Sequence, residues 1–204
     1  MALADLSFKL YTDSGLTSLY GGTTTLTHAS DLSDNPQDMV LYFGSPLTGR
    51  QLDATSNPGV DPITLTPTDI LPEWVASTAY ALGDNAEPTA GNGYRYEATV
   101  AGTTGASEPT WPTTVGSSVA DGGVTWVCVS ESHQPAEIKL ATTAAGLDSA
   151  TGGAALTLGT SLASESANAV EVHIRVENAV TTVSNNVGNP EVGIDINSVT
   201  ETAV

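Results

Sequence analysis

The amino-acid sequence predicts an all-β protein, and three observations support this. Apolar and polar residues alternate in many short segments, which is the period of a half-buried strand. Turn-forming Gly, Pro, Asn, Asp and Ser cluster between those segments. Thr and Val are abundant, and no segment carries a sustained apolar stripe at helical spacing. We therefore expect an antiparallel β-sandwich of immunoglobulin-like or jelly-roll type.

The alternation also predicts where individual strands lie. It is clearest in four segments, residues 6–10, 137–140, 170–177 and 192–197. Weaker strand candidates are residues 23–27, 39–43, 63–66 and 155–158. Residues 161–169 come closest to a helical pattern, and we expect a single helical turn there.

Aromatic residues divide the chain into two parts. Residues 72–131 contain all three tryptophans and three of the six tyrosines, namely Trp74, Trp111, Trp126, Tyr80, Tyr94 and Tyr96. We interpret this stretch as a small β module inserted into a loop of the sandwich. The flanks, residues 1–71 and 132–204, would then form one discontinuous β-sandwich domain, because close chain ends allow such insertions.

The charge of the chain restricts its partners. Formal net charge is -18, from 23 acidic and only 5 basic residues, and no two basic residues are neighbours in sequence. Nucleic-acid binding requires clustered cations, so neither DNA nor RNA is an expected partner. An anionic membrane surface is disfavoured for the same reason, and no stretch is apolar enough to span a bilayer. The start of the chain lacks the basic and apolar regions of a secretory signal.

No catalytic or metal-binding motif stands out, so we expect a non-enzymatic protein without a cofactor. The sequence has no Gly-x-Ser-x-Gly elbow, and His28, His133 and His173 are not at metal-ligand spacing. Cys128 lies in an apolar strand and is expected to be a buried hydrophobe. The acidic loop of residues 31–38 leaves two alternatives open, calcium ligands or ordinary turn formers. Of the functional hypotheses, a hydrolase with a site built from scattered residues is the weakest.

The inserted module carries a resemblance to a known family. Its residues 74–84, 92–98, 105–112 and 121–126 form a pattern of a Trp, a Tyr with a Gly-Asp turn, and a Tyr-bearing strand. This pattern resembles a small β module of phage tail and virion proteins. It is also similar to the small chitin-binding and carbohydrate-binding modules of secreted glycosidases. Flanking residues 137–148 and 154–160 resemble segments of phage structural proteins of immunoglobulin-like or jelly-roll type.

The resemblance implies a virion structural protein made in the host cytoplasm. The expected kind is a capsid decoration or head-surface protein that docks by its sandwich and projects the inserted module. Its partners would be other virion proteins, either major capsid or tail proteins. A homo-oligomer is expected, and a trimer is the state that decoration proteins suggest. The alternative is a tail-associated or adhesion protein that binds host or environmental glycans through the module.

Under the alternative, exposed aromatic rings of the module would stack on sugar rings. The resemblance makes Trp74, Tyr94 and Trp111 the candidates for glycan contact, and Tyr80 and Trp126 are expected to be buried. The competing interpretation is that all these aromatics build the core of a module too small to have another.

Overall fold

A computed structural model describes residues 6–181 and 190–204 of the chain. The described part is built from antiparallel strands and short 3₁₀ turns (Pro135–Glu137, Ala144–Asp148 and Ser166–Asn168), and it contains no α-helix. The strands in chain order are β1 (Lys9–Tyr11), β2 (Gln37–Gly44), β3 (Arg50–Ala54), β4 (Ile63–Asp69), β5 (Ala79–Tyr80), β6 (Asn85–Ala86), β7 (Tyr94–Val100), β8 (Gly102–Thr103), β9 (Ser118–Asp121), β10 (Val124–Glu131), β11 (Ile138–Ala141), β12 (Leu156–Gly159), β13 (Ser161–Ala163), β14 (Val170–Val176), β15 (Val192–Ile196) and β16 (Val199–Ala203). The all-β prediction is confirmed.

The first layer is a four-stranded sheet in the order β1-β2-β14-β11. In its centre, Leu41 of β2 is opposite Val172 of β14, and Ile174 is opposite Leu140 of β11. Directly opposed residues of an antiparallel pair share a face, so these four apolar side chains point to the same side. The alternate positions of β14, Glu171, His173 and Arg175, carry charged or polar side chains that point to the opposite face, where Tyr11 and Ala141 are also buried.

The second layer consists of two three-stranded sheets, β12-β4-β15 and β13-β3-β16. The strands of one sheet continue into those of the other, since β12 is followed by β13, β15 by β16, and β3 by β4. The loop of residues 55–62 interrupts the central strand. The amide of Thr55 donates to the carbonyl of Ser198, and the amide of Asn197 donates to that of Thr64, which joins the two sheets at the break.

A single apolar core lies between the two layers, as expected of a β-sandwich. Its buried members are Leu6, Phe8, Leu41, Phe43, Leu52, Ile63, Leu65, Leu140, Leu158, Leu162, Val172, Ile174 and Val199. Both layers contribute to it, so the packing fits a β-sandwich. The finer expectation, an immunoglobulin-like or jelly-roll connectivity, stays a prediction.

The chain between β4 and β11 forms separate sheets around a second core. A four-stranded sheet, β6-β7-β10-β9, lies beside the pair β5-β8. The second core contains Trp74, Ala86, Tyr96, Ala98, Val124, Trp126 and Cys128, and it shares no residue with the first. We call residues 72–131 the module from here on. The exact domain boundaries at residues 71/72 and 131/132 stay a prediction.

One sequence prediction about local structure was wrong, and another was right only in part. Residues 23–27 do not form a strand, because no strand of the described chain pairs with them. Residues 161–169 begin as β13 and contain only a 3₁₀ turn at Ser166–Asn168. The pairing of β13 with β3 accounts for this, since Leu162 is opposite Leu52 and both side chains are buried in the core. Residues 1–5, where we expected no secretory signal, lie outside the described residues. No helix in the described ranges is long and apolar enough to cross a membrane.

Candidate functional site

The centre of the module is organised by one buried carboxylate. Asp121, only 4% exposed, ends β9 at a tight turn. Its Oδ2 accepts hydrogen bonds from the indole Nε1–H groups of Trp74 (2.7 Å) and Trp126 (3.1 Å). Its Oδ1 accepts one from the amide of Gly105 at 2.7 Å. The carboxylate therefore satisfies three buried donors that come from three separate segments of the chain.

The turn after Asp121 requires glycine. Gly122 has a φ of +59°, in the left-handed region that side chains with a Cβ rarely adopt. A Cβ at this position would also lie 2.5 Å from the carbonyl oxygen of Thr103. The backbone of the neighbouring segment thus packs directly against the turn, which holds the Asp121 carboxylate under the two indoles.

Trp74 does not present an exposed ring, contrary to its candidate role in glycan contact. It is only 7% exposed, and its indole N–H is directed into the module at Asp121. Trp126, expected to be buried, has no exposed surface, so that prediction is confirmed. Tyr80, also expected to be buried, is half-buried and packs edge-on against Trp126 with ring centroids 4.9 Å apart.

Trp111 and Tyr94, the other two candidates, are half-buried at the edge of the second core. The Trp111 ring packs against Tyr96 at 4.4 Å and Trp126 at 5.8 Å between centroids. Its Nε1–H donates to Glu108 Oε1 at 2.9 Å. Hydrogen bonds from Thr89 and Trp111 hold the pKa of Glu108 below its usual value, against the effect of desolvation. The three predicted residues therefore do not form one exposed aromatic platform.

A cavity of about 220 Å³ lies between the module and the sandwich. Its lining residues are Gly93, Tyr94, Glu131, Ser132, Gln134, Glu137, Ala179 and Val180. Of the three candidates for glycan contact, only Tyr94 reaches it. The combination of one aromatic ring with carboxylate, hydroxyl and amide groups is suited to a small polar ligand.

Beside this cavity, a buried ion pair connects the module to the sandwich. Arg95 of β7 lies 3.2 Å from Glu191, measured from Nε to Oε1, and their side chains are 8% and 1% exposed. Glu191 Oε2 also accepts the amide N–H of His133 at 2.6 Å. Burial raises the pKa of Glu191, whereas this hydrogen bond and the nearby positive groups oppose the rise. Sequence reasoning missed the pair because its members are distant in sequence and carry no motif.

A second buried carboxyl group, that of Glu87, lies at the same junction. Desolvation is the largest cause that raises its pKa, and the charges of Asp69, Glu73 and Glu191 add to it, giving a value of about 7. The backbone of Glu87 accepts the amide of Trp74, and its own amide donates to the carbonyl of Pro72. The group that titrates near neutral pH therefore lies where the chain enters the module.

We expect the junction to lose stability as pH rises from 4.5 to about 7. Folded Glu87 binds its proton more tightly than the unfolded chain does, so the free energy of unfolding falls across this window. After allowance for solvent relaxation, we expect a loss of about 1–2 kcal/mol. His133, whose pKa is raised mainly by its hydrogen bond to Glu137, loses stabilisation only above its usual 6.5. The free energy of unfolding of Glu87→Gln, measured in urea at several pH values, should change less with pH below 6.5 than that of the wild type. An unchanged pH dependence would contradict this assignment.

The outer face of the first layer carries most of the positive charge. Lys139 is directly opposite Arg175 in the β11–β14 register, and Arg175 is opposite Asp38 of β2, so all three share this face. Lys9 joins them, because its neighbours Phe8 and Leu10 pack against the core. We call this surface the charged face; its charged members are Lys9, Asp38, Lys139, Asp148, Glu171, Arg175 and Glu177.

The charged face is ordered by ion pairs. Arg175 donates from Nε and Nη2 to the two carboxylate oxygens of Asp38 and from Nη1 to Asp148, each at 2.8 Å. These hydrogen bonds lower the pKa of Asp38. Lys139 Nζ donates to Glu177 at 2.7 Å. His173, expected on the polar face of its strand, lies on this face with its Nε2 3.0 Å from Glu171.

The remaining candidates from the sequence are structural. In the acidic loop, Asp31 accepts the amide of Ser33 and Asp34 accepts that of Ala29, as turn-forming aspartates do. Within residues 6–181 and 190–204, no three His, Cys, Asp or Glu side chains are arranged to hold a metal ion. Cys128 is fully buried, and desolvation raises the pKa of its thiol.

Comparisons with known protein families, with curated proteins and with solved structures found no match for this chain.

Proposed function

We propose that the protein is a non-enzymatic structural component of a phage virion, of the capsid decoration or head-surface kind. It docks on major capsid or tail proteins by its sandwich and projects the module. The observation that carries this proposal is the charged face. Three of the five basic residues lie there, opposed by four carboxylates, whereas the chain as a whole has a net charge of -18.

For electrostatic reasons, the charged face is the surface that another protein can approach most closely. The field of so acidic a chain repels negatively charged surfaces, and this repulsion is weakest where cations compensate the carboxylates. The other two basic residues cannot serve in the same way. Arg95 is buried against Glu191, and Arg50 lies in the second layer beside Glu201.

The module supports the proposal by its rigidity. Its largest aromatic side chains are packed inside, around the Asp121 carboxylate, so it has a core of its own. The buried Arg95–Glu191 pair fixes its position on the sandwich. A module with its own core and a fixed position on the sandwich is suited to a spacer or to a contact with a neighbouring protein.

If the protein docks through the charged face, removal of a positive charge should weaken docking only when that charge lies on this face. We expect Lys9→Gln to weaken binding to particles assembled without this protein by roughly threefold to tenfold, because it removes an attractive charge at the contact. Arg50→Gln is the matched control, since it removes the same charge from the other layer. Cosedimentation with particles, repeated at raised salt, measures both. Equal binding of the two variants would contradict docking through the charged face.

A second candidate function is adhesion to a glycan, and the junction cavity is the observation that favours it. Tyr94 offers a ring beside Glu131, Ser132 and Gln134, which is a combination found in sugar sites. This candidate predicts saturable binding to a glycan array that Tyr94→Ala abolishes and Val100→Ala, an exposed change at the other end of β7, preserves. Absence of saturable binding by the wild-type chain would remove it.

A further inference from the structure

An uncharged, exposed segment follows β1, and we call residues 19–28 the arm. No Asp, Glu, Lys or Arg occurs between Asp13 and Asp31, although the chain as a whole is strongly acidic. Residues 21–27 are all exposed to solvent. Two of the large apolar side chains that the structure exposes, Leu19 at 57% and Leu26 at 36%, are in the arm. The arm is therefore a surface without Asp, Glu, Lys or Arg on a molecule with a net charge of -18.

No strand of the described chain pairs with the arm beyond its first two residues, although the Gln37 side chain at the start of β2 donates from Nε2 to the carbonyl of Thr27 at 2.9 Å. Leu19 still bridges to Tyr11, and the amide of Tyr20 donates to the carbonyl of Leu10. In the part of the chain that the structure describes, residues 21–27 take part in no strand pairing. Yet residues 23–27 read Thr-Thr-Thr-Leu-Thr, a run of strand-forming residues. The sequence predicts a strand here, but no strand of the described chain pairs with it.

An open edge of matching length exists on β2. The neighbouring β1 pairs only with Tyr42, Phe43 and Gly44, although β2 begins at Gln37. Among the described strands, none pairs with the outer edge of residues 37–41, while β14 covers the inner edge. Unpaired strand edges recruit extended segments from other chains. The one charged residue of this edge, Asp38, is held by Arg175.

We propose that the arm of one copy pairs as an added β-strand with the open edge of β2 in a second copy. Each copy carries one arm and one edge, so the contact is self-complementary and can close as a symmetric pair or a ring. The contact buries Leu26 and provides strand partners for the backbone groups of residues 23–26, whereas the Thr27 carbonyl already accepts from Gln37 Nε2 of its own chain. A second copy is the partner that fits, because the neutral arm is where the repulsion between two acidic chains is least.

Proline substitutions in the arm test this proposal on the purified full-length chain. Thr25→Pro and Leu26→Pro are both needed, because alternate residues of a strand donate to opposite sides. Neither position is paired or buried in the single chain, so the fold should be retained, as far-UV circular dichroism and the urea midpoint will show. Leu26→Val is the matched control, since it keeps the amide N–H and the strand preference. Sedimentation velocity over a concentration series, at low and high salt, measures association.

We expect the wild type and Leu26→Val to associate, more tightly at high salt because screening reduces repulsion. At least one proline variant should associate about a hundredfold more weakly, as loss of a ladder hydrogen bond and a clash would cause. Hydrogen exchange should slow at residues 23–27 in the associated state alone. A wild type that stays monomeric at high salt would overturn the proposal, and so would proline variants that associate like the wild type. Both outcomes are measured without virus particles, so failure of this proposal can be distinguished from failure of the docking proposal.

Discussion

Replacement of Asp121 by alanine is expected to unfold the module while the sandwich core stays folded. The change leaves the indole N–H groups of Trp74 and Trp126 and the amide of Gly105 buried without an acceptor. Each unsatisfied buried donor costs about 1–3 kcal/mol, so we expect a loss of roughly 3–5 kcal/mol. All three tryptophans lie in the module, so tryptophan fluorescence during urea unfolding reports on it directly.

Two further variants show whether the effect comes from the buried carboxylate. Asp121→Asn keeps one acceptor oxygen, but its NH₂ group faces either the two indole N–H groups or the amide N–H of Gly105, so we expect it to destabilise the module as well. Asp84→Ala is the matched control, because Asp84 accepts the amide of Ala81 in an exposed turn, and its loss should cost about 1 kcal/mol. Equal effects of Asp121→Ala and Asp84→Ala would contradict the central role of Asp121.

Replacement of Arg95 by leucine is expected to destabilise the junction by about 3–5 kcal/mol, because it leaves the buried Glu191 carboxylate without its countercharge. The double variant Arg95→Leu and Glu191→Leu removes both charges and should recover a large part of that loss. Urea unfolding of the wild type, the two single variants and the double variant gives the coupling free energy. Because the His133 amide also donates to Glu191, recovery should be incomplete. If Arg95→Leu lowers the free energy of unfolding by less than about 1 kcal/mol, the ion pair does not hold the junction.

Strands with a covered inner face could be predicted from the sequence. In β14, Val172 and Ile174 alternate with Glu171 and His173 because one face meets the core and the other meets solvent. The same reason accounts for β11 and β15. The prediction failed at residues 23–27, where the composition favours a strand but no strand of the described chain pairs with the segment. Strand preference is local, whereas pairing depends on what the rest of the fold provides.

The candidate site was harder to predict than the fold. Aromatic residues in residues 72–131 indicated a module, but burial of Trp74 depends on Asp121, 47 positions away. The raised pKa of Glu87 depends on Asp69 and Glu191, which come from the sandwich. Contacts of this kind follow from the packing of distant segments, and no spacing in a single sequence indicates them.

The most direct test of the proposed virion role is cryo-electron microscopy of virus particles purified from a lysate that contains this protein. The account predicts density for the protein at regular lattice positions, with Lys9, Lys139 and Arg175 turned toward the shell and the module projecting outward. Trp74 and Trp126 should be packed inside the module. Absence of the protein from particles, or a charged face directed to solvent with the module against the shell, would contradict the account.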